Sequence, residues 1–445
     1  MKKSFAAILS VMMLFALAIA PNALADENEV VALKQQVADL TSKLSALESH
    51  VQTMEGHVPP TQGKEPVGYV PSASEQPAGL IHTMQDIHMS GYADMQFNQN
   101  LSNEAANVGG NPFRSFDANQ NTFSINAVEL DFYKAPDPEG GAGFRVDIAM
   151  GEDAQVVDTA TTGTDADEFS LQQAYIEFVS PLSFFEGSEL FGDTIDVKVG
   201  RFVTLAGAEV IEAPDNWNVS RSFLFGLAIP FTHTGIRAEH KLWNDQVTTY
   251  WGVNNGWDNV LDNNMWKTLE WGVGANPIEN VSVLSAIYYG PEMARHSGHK
   301  RFLWSNVVGW DATEKLSFKQ EFTLGNQRRV PSTETLGGGT TKEVYANAQW
   351  WGFASYMRYE LTEKLGFNYR FEVFRDDQLF RTSPATTVAA PTETLTSHTL
   401  TFDYELYENL TSRLEYRLDR SNDAAAFQSD STQQTVGAQM IYKFA

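Results

Sequence analysis

Residues 413–419 read Arg-Leu-Glu-Tyr-Arg-Leu-Asp, a stretch in which charged and apolar side chains alternate almost at every step. Because successive side chains of a β-strand point to opposite faces, Leu414, Tyr416 and Leu418 would share one face and the charged residues the other. Residues 144–150, Phe-Arg-Val-Asp-Ile-Ala-Met, show a similar alternation. Strands with one apolar and one polar face can separate lipid from a water-filled lumen.

The same pattern recurs from residue 87 to residue 444, where alternating segments of about ten residues are separated by breaks that are long and short in turn. A soluble β-sandwich would also alternate, but its outer face would carry the charges. The pattern therefore predicts an all-β fold, a 16-stranded antiparallel transmembrane β-barrel with long loops at one end and short turns at the other. In the second strand the apolar parity slips between Ile125 and Val128, which predicts a β-bulge.

The bulk composition limits the alternatives. After the N-terminus, no stretch of the 445 residues supplies the ~20 continuous apolar residues of a membrane helix. A chain that spans a membrane without such a helix must close into a barrel, because lipid cannot satisfy open strand edges. The chain has no cysteine, so it has neither disulfides nor thiolate metal ligands. Its net charge of −25 argues against nucleic acid as a partner.

Residues 1–25 predict a signal peptide. Lys2 and Lys3 precede an apolar core, and Ala23 and Ala25 form a small-x-small cleavage site; an uncleaved membrane anchor is the alternative. Cleavage removes two lysines and no acids, which leaves 29 basic and 56 acidic residues and a net charge of −27. We expect such an exported barrel in the bacterial outer membrane, with its N-terminal segment and its short turns in the periplasm.

Residues 26–55 predict a periplasmic coiled coil. Apolar residues spaced alternately three and four apart fill the a and d positions of four heptads: Val30, Leu33, Val37, Leu40, Leu44, Leu47, Val51 and Met54. Only supercoiling around a partner keeps such a stripe buried, although a single amphipathic helix lying on the barrel or a membrane is the alternative. β-Branched residues at a favour a dimer, but the larger barrel interface favours a homotrimer, which we expect. Residues 56–86 predict a Pro/Gly-rich linker to the barrel at residues 87–445.

The third long break, residues 205–231, is called the third loop below. It is too apolar for a freely solvated loop, so we expect it to fold into the barrel. Its charged and amide residues are the candidates for a pore constriction: Glu209, Glu212, Asp215, Asn216, Asn218 and Arg221.

Basic residues at the alternate strand positions that should face the lumen are the candidates for the opposing pore wall: Arg145, Lys198, Arg237, Arg370, Arg413 and Arg417. Carboxylates on an inserted loop that faces wall arginines would create a transverse field, by which a pore selects among solutes. The alternative is that these are ordinary lumen charges that pair with one another along the wall.

Four sequence strings around the third loop carry a family resemblance. They are Asp-Val-Lys-Val-Gly-Arg-Phe at 196–202, Glu-Val-Ile-Glu-Ala-Pro-Asp-Asn-Trp-Asn at 209–218, Pro-Phe-Thr-His-Thr-Gly at 230–235 and Val-Asn-Asn-Gly-Trp-Asp-Asn at 253–259. The chain resembles the OmpL-like β-barrel porin family over most of its barrel. The resemblance implies an outer-membrane porin and leaves the transported solute open.

These features predict a porin that forms a water-filled channel in outer-membrane lipid for passive diffusion of small hydrophilic solutes or ions. A structural or adhesive protein, tethered through its coiled coil and anchored by its barrel, is the alternative. No Ser-His-acid order, phosphate-binding glycine loop or HExxH motif occurs in the sequence, so we expect neither catalysis nor a cofactor. His296 and His299 could bind a metal or an anion at the channel mouth, but we expect them to be solvated and expect no metal site.

Overall fold

The computed structural model describes residues 86–102, 110–162, 168–182, 191–335, 341–382, 392–424, 426–427 and 430–444. The predicted signal peptide and coiled coil lie outside these residues, as does the linker apart from its last residue, and all three remain predictions. Among the described helices, none has the length and apolar character needed to cross a membrane.

Sixteen strands in the described part of the chain form one closed sheet, as the alternation predicts. The first eight are β1 (His88–Asn100), β2 (Thr122–Lys134), β3 (Gly141–Met150), β4 (Phe169–Pro181), β5 (Phe191–Val203), β6 (Thr232–Leu242), β7 (Val247–Asn254) and β8 (Thr268–Ile278). The other eight are β9 (Val281–Pro291), β10 (Lys300–Thr313), β11 (Leu316–Thr335), β12 (Thr341–Glu360), β13 (Leu365–Asp377), β14 (Glu393–Tyr407), β15 (Leu410–Ser421) and β16 (Thr432–Phe444).

Every strand pairs antiparallel with its neighbours in the chain, and β1 pairs with β16 to close the barrel. Closure leaves no free strand edge, which is the condition for crossing lipid. The predicted bulge in β2 is confirmed. Asp94 of β1 lies opposite Ala127 and Met95 lies opposite Ile125, so Asn126 is the extra residue of β2.

The sixth long connection differs from the sequence prediction. The alternation predicts strand ends near residues 325 and 344, but β11 and β12 continue as a paired hairpin in which Pro331 lies opposite Tyr345. Val330, Thr333, Thr335 and Thr341 are β-branched residues of this segment and favour strands, so the chain keeps its ladder beyond the point where the polar sequence suggests a loop.

The barrel is polar inside and apolar outside. On β13, Arg370 and Glu372 are buried, whereas Phe371 between them is partly exposed. On the outer face, large apolar side chains are open to the surroundings, with Phe123 at 79% and Ile176 at 60% exposure. An apolar exterior of this kind fits the lipid environment of a membrane barrel.

The barrel interior holds a hydrophobic core made by loops as well as by strands. The second long connection forms helix α1 (Glu152–Thr162), and the third loop contains a 3-10 turn (Ala213–Asp215) and a π-helical turn (Leu224–Ala228). Val157 of α1 and Phe116 of the first connection belong to the same buried cluster as the third loop. Helix α1 was not predicted from the sequence, because this segment has no clear apolar stripe of helical period.

Candidate functional site

The third loop lies against the inner face of the wall. Phe223, Leu224 and Phe225 are at most 2% exposed, and they belong to one core cluster with wall residues such as Trp350 and Phe374. The indole nitrogen of Trp350 donates a hydrogen bond to the carbonyl oxygen of loop residue Ala228 over 3.0 Å. The apolar composition of the loop is thus accounted for by burial against the wall.

Two wall arginines bond the loop directly. Arg370 donates from Nη1 to Glu209 Oε1 over 2.7 Å and to the Ser220 carbonyl oxygen over 2.6 Å. Arg417 donates from Nη1 to the Arg221 carbonyl oxygen over 2.6 Å and from Nη2 to Glu372 over 3.1 Å. Both guanidinium side chains are fully buried. Both guanidinium groups contact the loop directly, and their hydrogen bonds to it are charge-assisted.

A third arginine and two wall carboxylates hold the loop backbone. Arg413 donates to the carbonyl oxygens of Ala213 over 3.0 Å and of Asn216 over 2.7 Å. Glu415 accepts the amide hydrogens of Val219 and Ser220 over 2.7 and 3.0 Å.

Another wall carboxylate, Glu372, accepts the amide hydrogen of Phe223 over 2.6 Å. Buried backbone groups need partners, and here the charges of the wall supply them in place of a β-ladder.

The three acids of the loop lie in three different environments. Glu209 is buried, and its second oxygen accepts the Ser222 amide hydrogen over 2.7 Å. Glu212 is half-buried and accepts a hydrogen bond from Gln172 over 2.7 Å. Burial raises the pKa of Glu212 to about 7, and the negative charge of Asp147 on β3 also raises it. Asp215 is exposed, 3.5 Å from Lys443 Nζ.

The amide and basic residues of the loop shape the loop itself. The Asn216 side chain accepts a hydrogen bond from the Val210 amide and donates one to the Val210 carbonyl oxygen. Asn218 donates a hydrogen bond to the Thr401 hydroxyl of the wall over 2.7 Å. Arg221 is 4% exposed and donates to loop carbonyl oxygens, including that of Val210 over 3.0 Å. Its guanidinium carbon lies 5.2 Å from the ring centroid of Phe116.

Among the residues that the structure describes, the other predicted wall residues make their polar contacts along the wall and none with the third loop. Arg145 Nε donates to both oxygens of Asp147 on the same strand, over 2.9 and 2.8 Å. Lys198 lies 3.2 Å from Glu177 on the neighbouring strand. Arg237 is paired with Glu270, with a bond of 3.0 Å from Nη2. The structure therefore brings only three of the six basic residues, Arg370, Arg413 and Arg417, to the third loop.

The first connection also contributes to the site, although none of its residues was predicted to do so from the sequence. Arg114 lies 2.6 Å from Asp419 of β15 and also pairs with Asp117. The ring of Phe116 lies 5.6 and 5.4 Å, centroid to centroid, from loop residues Phe225 and Phe231. The available signal was the apolar pair Phe113 and Phe116 within an otherwise polar break.

Two cavities flank the tip of the third loop at Pro214 and Asp215. One, of about 540 Å³, lies beside strands β1 to β4 and is lined by residues that include Glu129, Asp131 and Arg145. The other, of about 460 Å³, lies on the side of β12 to β16 and is lined by polar and charged residues that include Arg358, Glu360, Asp403 and Arg413. Each gives an aqueous space beside the loop.

The sequence matches the family described as "Putative beta-barrel porin-2, OmpL-like" over residues 86–444, which is the whole barrel. This confirms the resemblance found in the sequence strings around the third loop. No curated protein sequence matches the chain.

Solved structures with a similar fold are outer-membrane proteins. The outer membrane channel DcaP of Acinetobacter baumannii is similar with a TM-score of 0.52 and 11% identity, over 80% of this chain and 97% of that chain. OmpF of Salmonella typhi, in complex with daunomycin, gives a TM-score of 0.49 and 10% identity, over 80% and 97% of the two chains. The anion-selective porin from Comamonas acidovorans gives 0.47 and 9%, over 80% and 99%.

At a sequence identity of 11%, the structural similarity to DcaP shows the fold alone. The family match covers most of the chain, and family and fold favour a channel rather than an enzyme. The chain therefore belongs to the OmpL-like beta-barrel porin-2 family and is a porin of the bacterial outer membrane, a channel for passive diffusion.

Proposed function

We propose that this porin conducts small hydrophilic solutes or ions through a bore that is narrowed by the third loop. The observation that carries the proposal is the set of buried hydrogen bonds by which Arg370, Arg413 and Arg417 hold the loop against β13 and β15. A segment fixed by several charge-assisted bonds keeps one position, so it would define a bore of constant width.

The proposed path runs between the third loop and strands β1 to β4. The cavity on this side is lined by the acids Glu129, Asp131, Glu212 and Asp215 but by only two basic residues, Arg145 and Lys443. An excess of carboxylates beside water favours cations in a pore. We therefore propose a moderate cation preference for an otherwise passive channel.

In this proposal the predicted constriction residues divide into two groups. Glu209, Asn216, Asn218 and Arg221 hold the loop in place, because their polar atoms are engaged within the loop or with the wall. Glu212 and Asp215 line the cavity and act on the solute.

The double variant Glu212→Gln/Asp215→Asn tests the path. Its reversal potential in a KCl gradient across a planar bilayer at pH 8, above the pKa of about 7 of Glu212, should shift toward anions relative to the wild type, because two negative charges leave the proposed bore. The control is Glu279→Gln/Glu314→Gln, which removes two exposed acids from the short turns, outside both cavities.

An unchanged reversal potential in the Glu212→Gln/Asp215→Asn variant would reject the proposed path. A wild-type protein that forms no conducting channel would reject the proposed function as a whole.

We also propose that the porin is a homotrimer whose association is strengthened by the predicted coiled coil at residues 26–55. The variant Leu40→Ser/Leu47→Ser places polar groups in the heptad core and should lower the oligomer mass in light scattering of the detergent-solubilised protein. Ser45→Ala/Gln52→Ala changes positions outside the heptad core and serves as the control. Oligomers of equal mass and equal thermal stability in both variants would contradict this role.

A further inference from the structure

Three carboxylates converge on the lumen side of β2 and β3. Glu129, Asp131 and Asp147 each offer one oxygen, and these oxygens all lie within 4.8 Å of one another. The strand register produces this arrangement, since Asp131 lies directly opposite Asp147. Like charges so close together repel unless a cation or a proton compensates them.

The basic residue beside this cluster compensates only one of the three acids. Arg145 donates to both oxygens of Asp147, and Gln173 donates to the same carboxylate over 2.5 Å. Neither Glu129 nor Asp131 has a Lys, Arg or His partner within 4.0 Å among the residues that the structure describes. The cluster therefore retains an excess of negative charge.

A second observation concerns the hydrogen bonds of the cluster. Two of its buried oxygens lack a hydrogen-bond donor in the described part of the chain: Glu129 Oε1 and Asp131 Oδ1. Glu129 is 1% exposed, and its other oxygen accepts a hydrogen bond from the Tyr92 hydroxyl over 3.3 Å. The other oxygen of Asp131 accepts one from the Ser90 hydroxyl over 3.3 Å. A buried carboxylate oxygen without a partner is costly, and a bound cation would offset that cost.

Two of the three carboxylates adjoin a lumen cavity, which would give an ion its route to the cluster. Glu129 and Asp131 border the cavity of about 540 Å³ between the third loop and β1 to β4, and Tyr92 and Ser90 border it as well. The hydroxyl oxygens of these two residues and water would add to the carboxylate oxygens as neutral ligands.

We propose that Glu129, Asp131 and Asp147 form a binding site for a hard divalent cation, Ca²⁺ in preference to Mg²⁺. The ligands are all oxygen, and Ca²⁺ tolerates the irregular arrangement that two strand faces impose, whereas Mg²⁺ needs a near-ideal octahedron. Binding itself does not require conduction. Its consequence for the current, a weaker cation preference when the site is filled, rests on the proposed function.

Calorimetric titration of CaCl₂ into the chelator-treated, detergent-refolded full chain tests the site. The wild type should show saturable Ca²⁺ binding, and Glu129→Gln should raise its Kd by about tenfold or more, since loss of even an outer-shell partner of a metal site has an effect of this size. The control is Glu360→Gln, which removes an acid that borders the other cavity and should leave the Kd unchanged. Asp131→Asn is the second variant, with folding of each checked by the heat-modifiable mobility of the barrel in gel electrophoresis.

Absence of saturable binding in the wild type, or equal Kd values in Glu129→Gln and Glu360→Gln, would overturn the site. A cluster whose carboxylates share a proton in place of a cation would show no saturable Ca²⁺ binding. Calorimetry also separates this inference from the proposed function. A protein that conducts but does not bind Ca²⁺ rejects only the site, whereas one that binds Ca²⁺ but does not conduct rejects only the channel.

Discussion

The two sides of the lumen both place charges at inward-facing strand positions and use them differently. On β13 and β15, Arg370 and Arg417 are buried under the third loop and bonded to its oxygens. On the other side, Glu129 and Asp131 of β2 border a cavity. The difference lies in what covers the strand. A lumen charge is structural where a loop packs on it and is available to a solute where water reaches it.

The largest effect is expected on the covered side, from Arg370→Ala. Its guanidinium bonds Glu209 and Ser220 of the loop and is fully buried, so the substitution leaves the Glu209 carboxylate buried without its cation. Loss of one partner of a buried pair costs about 3–5 kcal/mol in the free energy of unfolding. We expect a lower unfolding temperature and, because the loop loses its anchor, a larger single-channel conductance.

The control for Arg370→Ala is Arg375→Ala on the same strand. Arg375 pairs with Asp377 in an exposed ion pair, and such pairs contribute about 0–1 kcal/mol. Equal unfolding temperatures for the two variants, measured in detergent, would contradict the distinction between the covered and the open side of the lumen.

A smaller effect on the covered side is expected from Gly352→Ala. A Cβ atom added at Gly352 of β12 would lie 2.7 Å from two side-chain carbons of Leu224 in the third loop. Such overpacking costs about 1–3 kcal/mol, and it would push the loop away from the wall.

Gly437→Ala is the matched control, because its Cβ would meet loop residue Val219 at 3.6 Å, an ordinary contact. Gly352→Ala should therefore unfold at a lower temperature and expose the loop to protease, and Gly437→Ala should do neither. Equal protease resistance would argue that the loop does not rest on β12.

The strands could be predicted from the sequence because two strong constraints act on every residue of a barrel wall. Lipid demands apolar side chains at every second position, and closure demands pairing on both edges. Even the bulge at Asn126 leaves a trace, since it shifts the apolar parity of β2. The hairpin extension of β11 and β12 was missed because it has no such lipid-facing pattern.

The roles of single charges could not be predicted in this way. Arg145 and Arg370 both have lumen parity, but Arg145 pairs with Asp147 and Arg370 bonds the third loop. Parity gives the face of a side chain, whereas its partner depends on where a distant loop packs. The cluster of Glu129, Asp131 and Asp147 likewise depends on the register of two strands, which alternation alone does not give.

The smallest predicted effect is a pH dependence confined to the open side. The pKa of Glu212 is raised from 4.5 to about 7, first by burial and then by the negative charge of Asp147, while Arg145 lowers it. Asp215 on the same loop also raises this pKa. Because the raised pKa lies above that of the unfolded chain, this group favours the folded state below about pH 4.5, and the contribution is lost as the pH rises through 7.

Between pH 8 and pH 6 Glu212 therefore gains a proton, and the cation preference of the channel should fall. The reversal potential in a KCl gradient, recorded in chelator-containing buffer at both pH values, measures this, and Glu212→Gln should lose the shift. A wild-type reversal potential that is the same at both pH values would contradict the prediction. The hydrogen bonds by which the wall arginines hold the loop do not involve the Glu212 side chain, so the single-channel conductance should change little. A change of pH thus separates the two sides of the lumen, because it alters the selectivity set by the open acids and leaves the loop that the arginines hold in place.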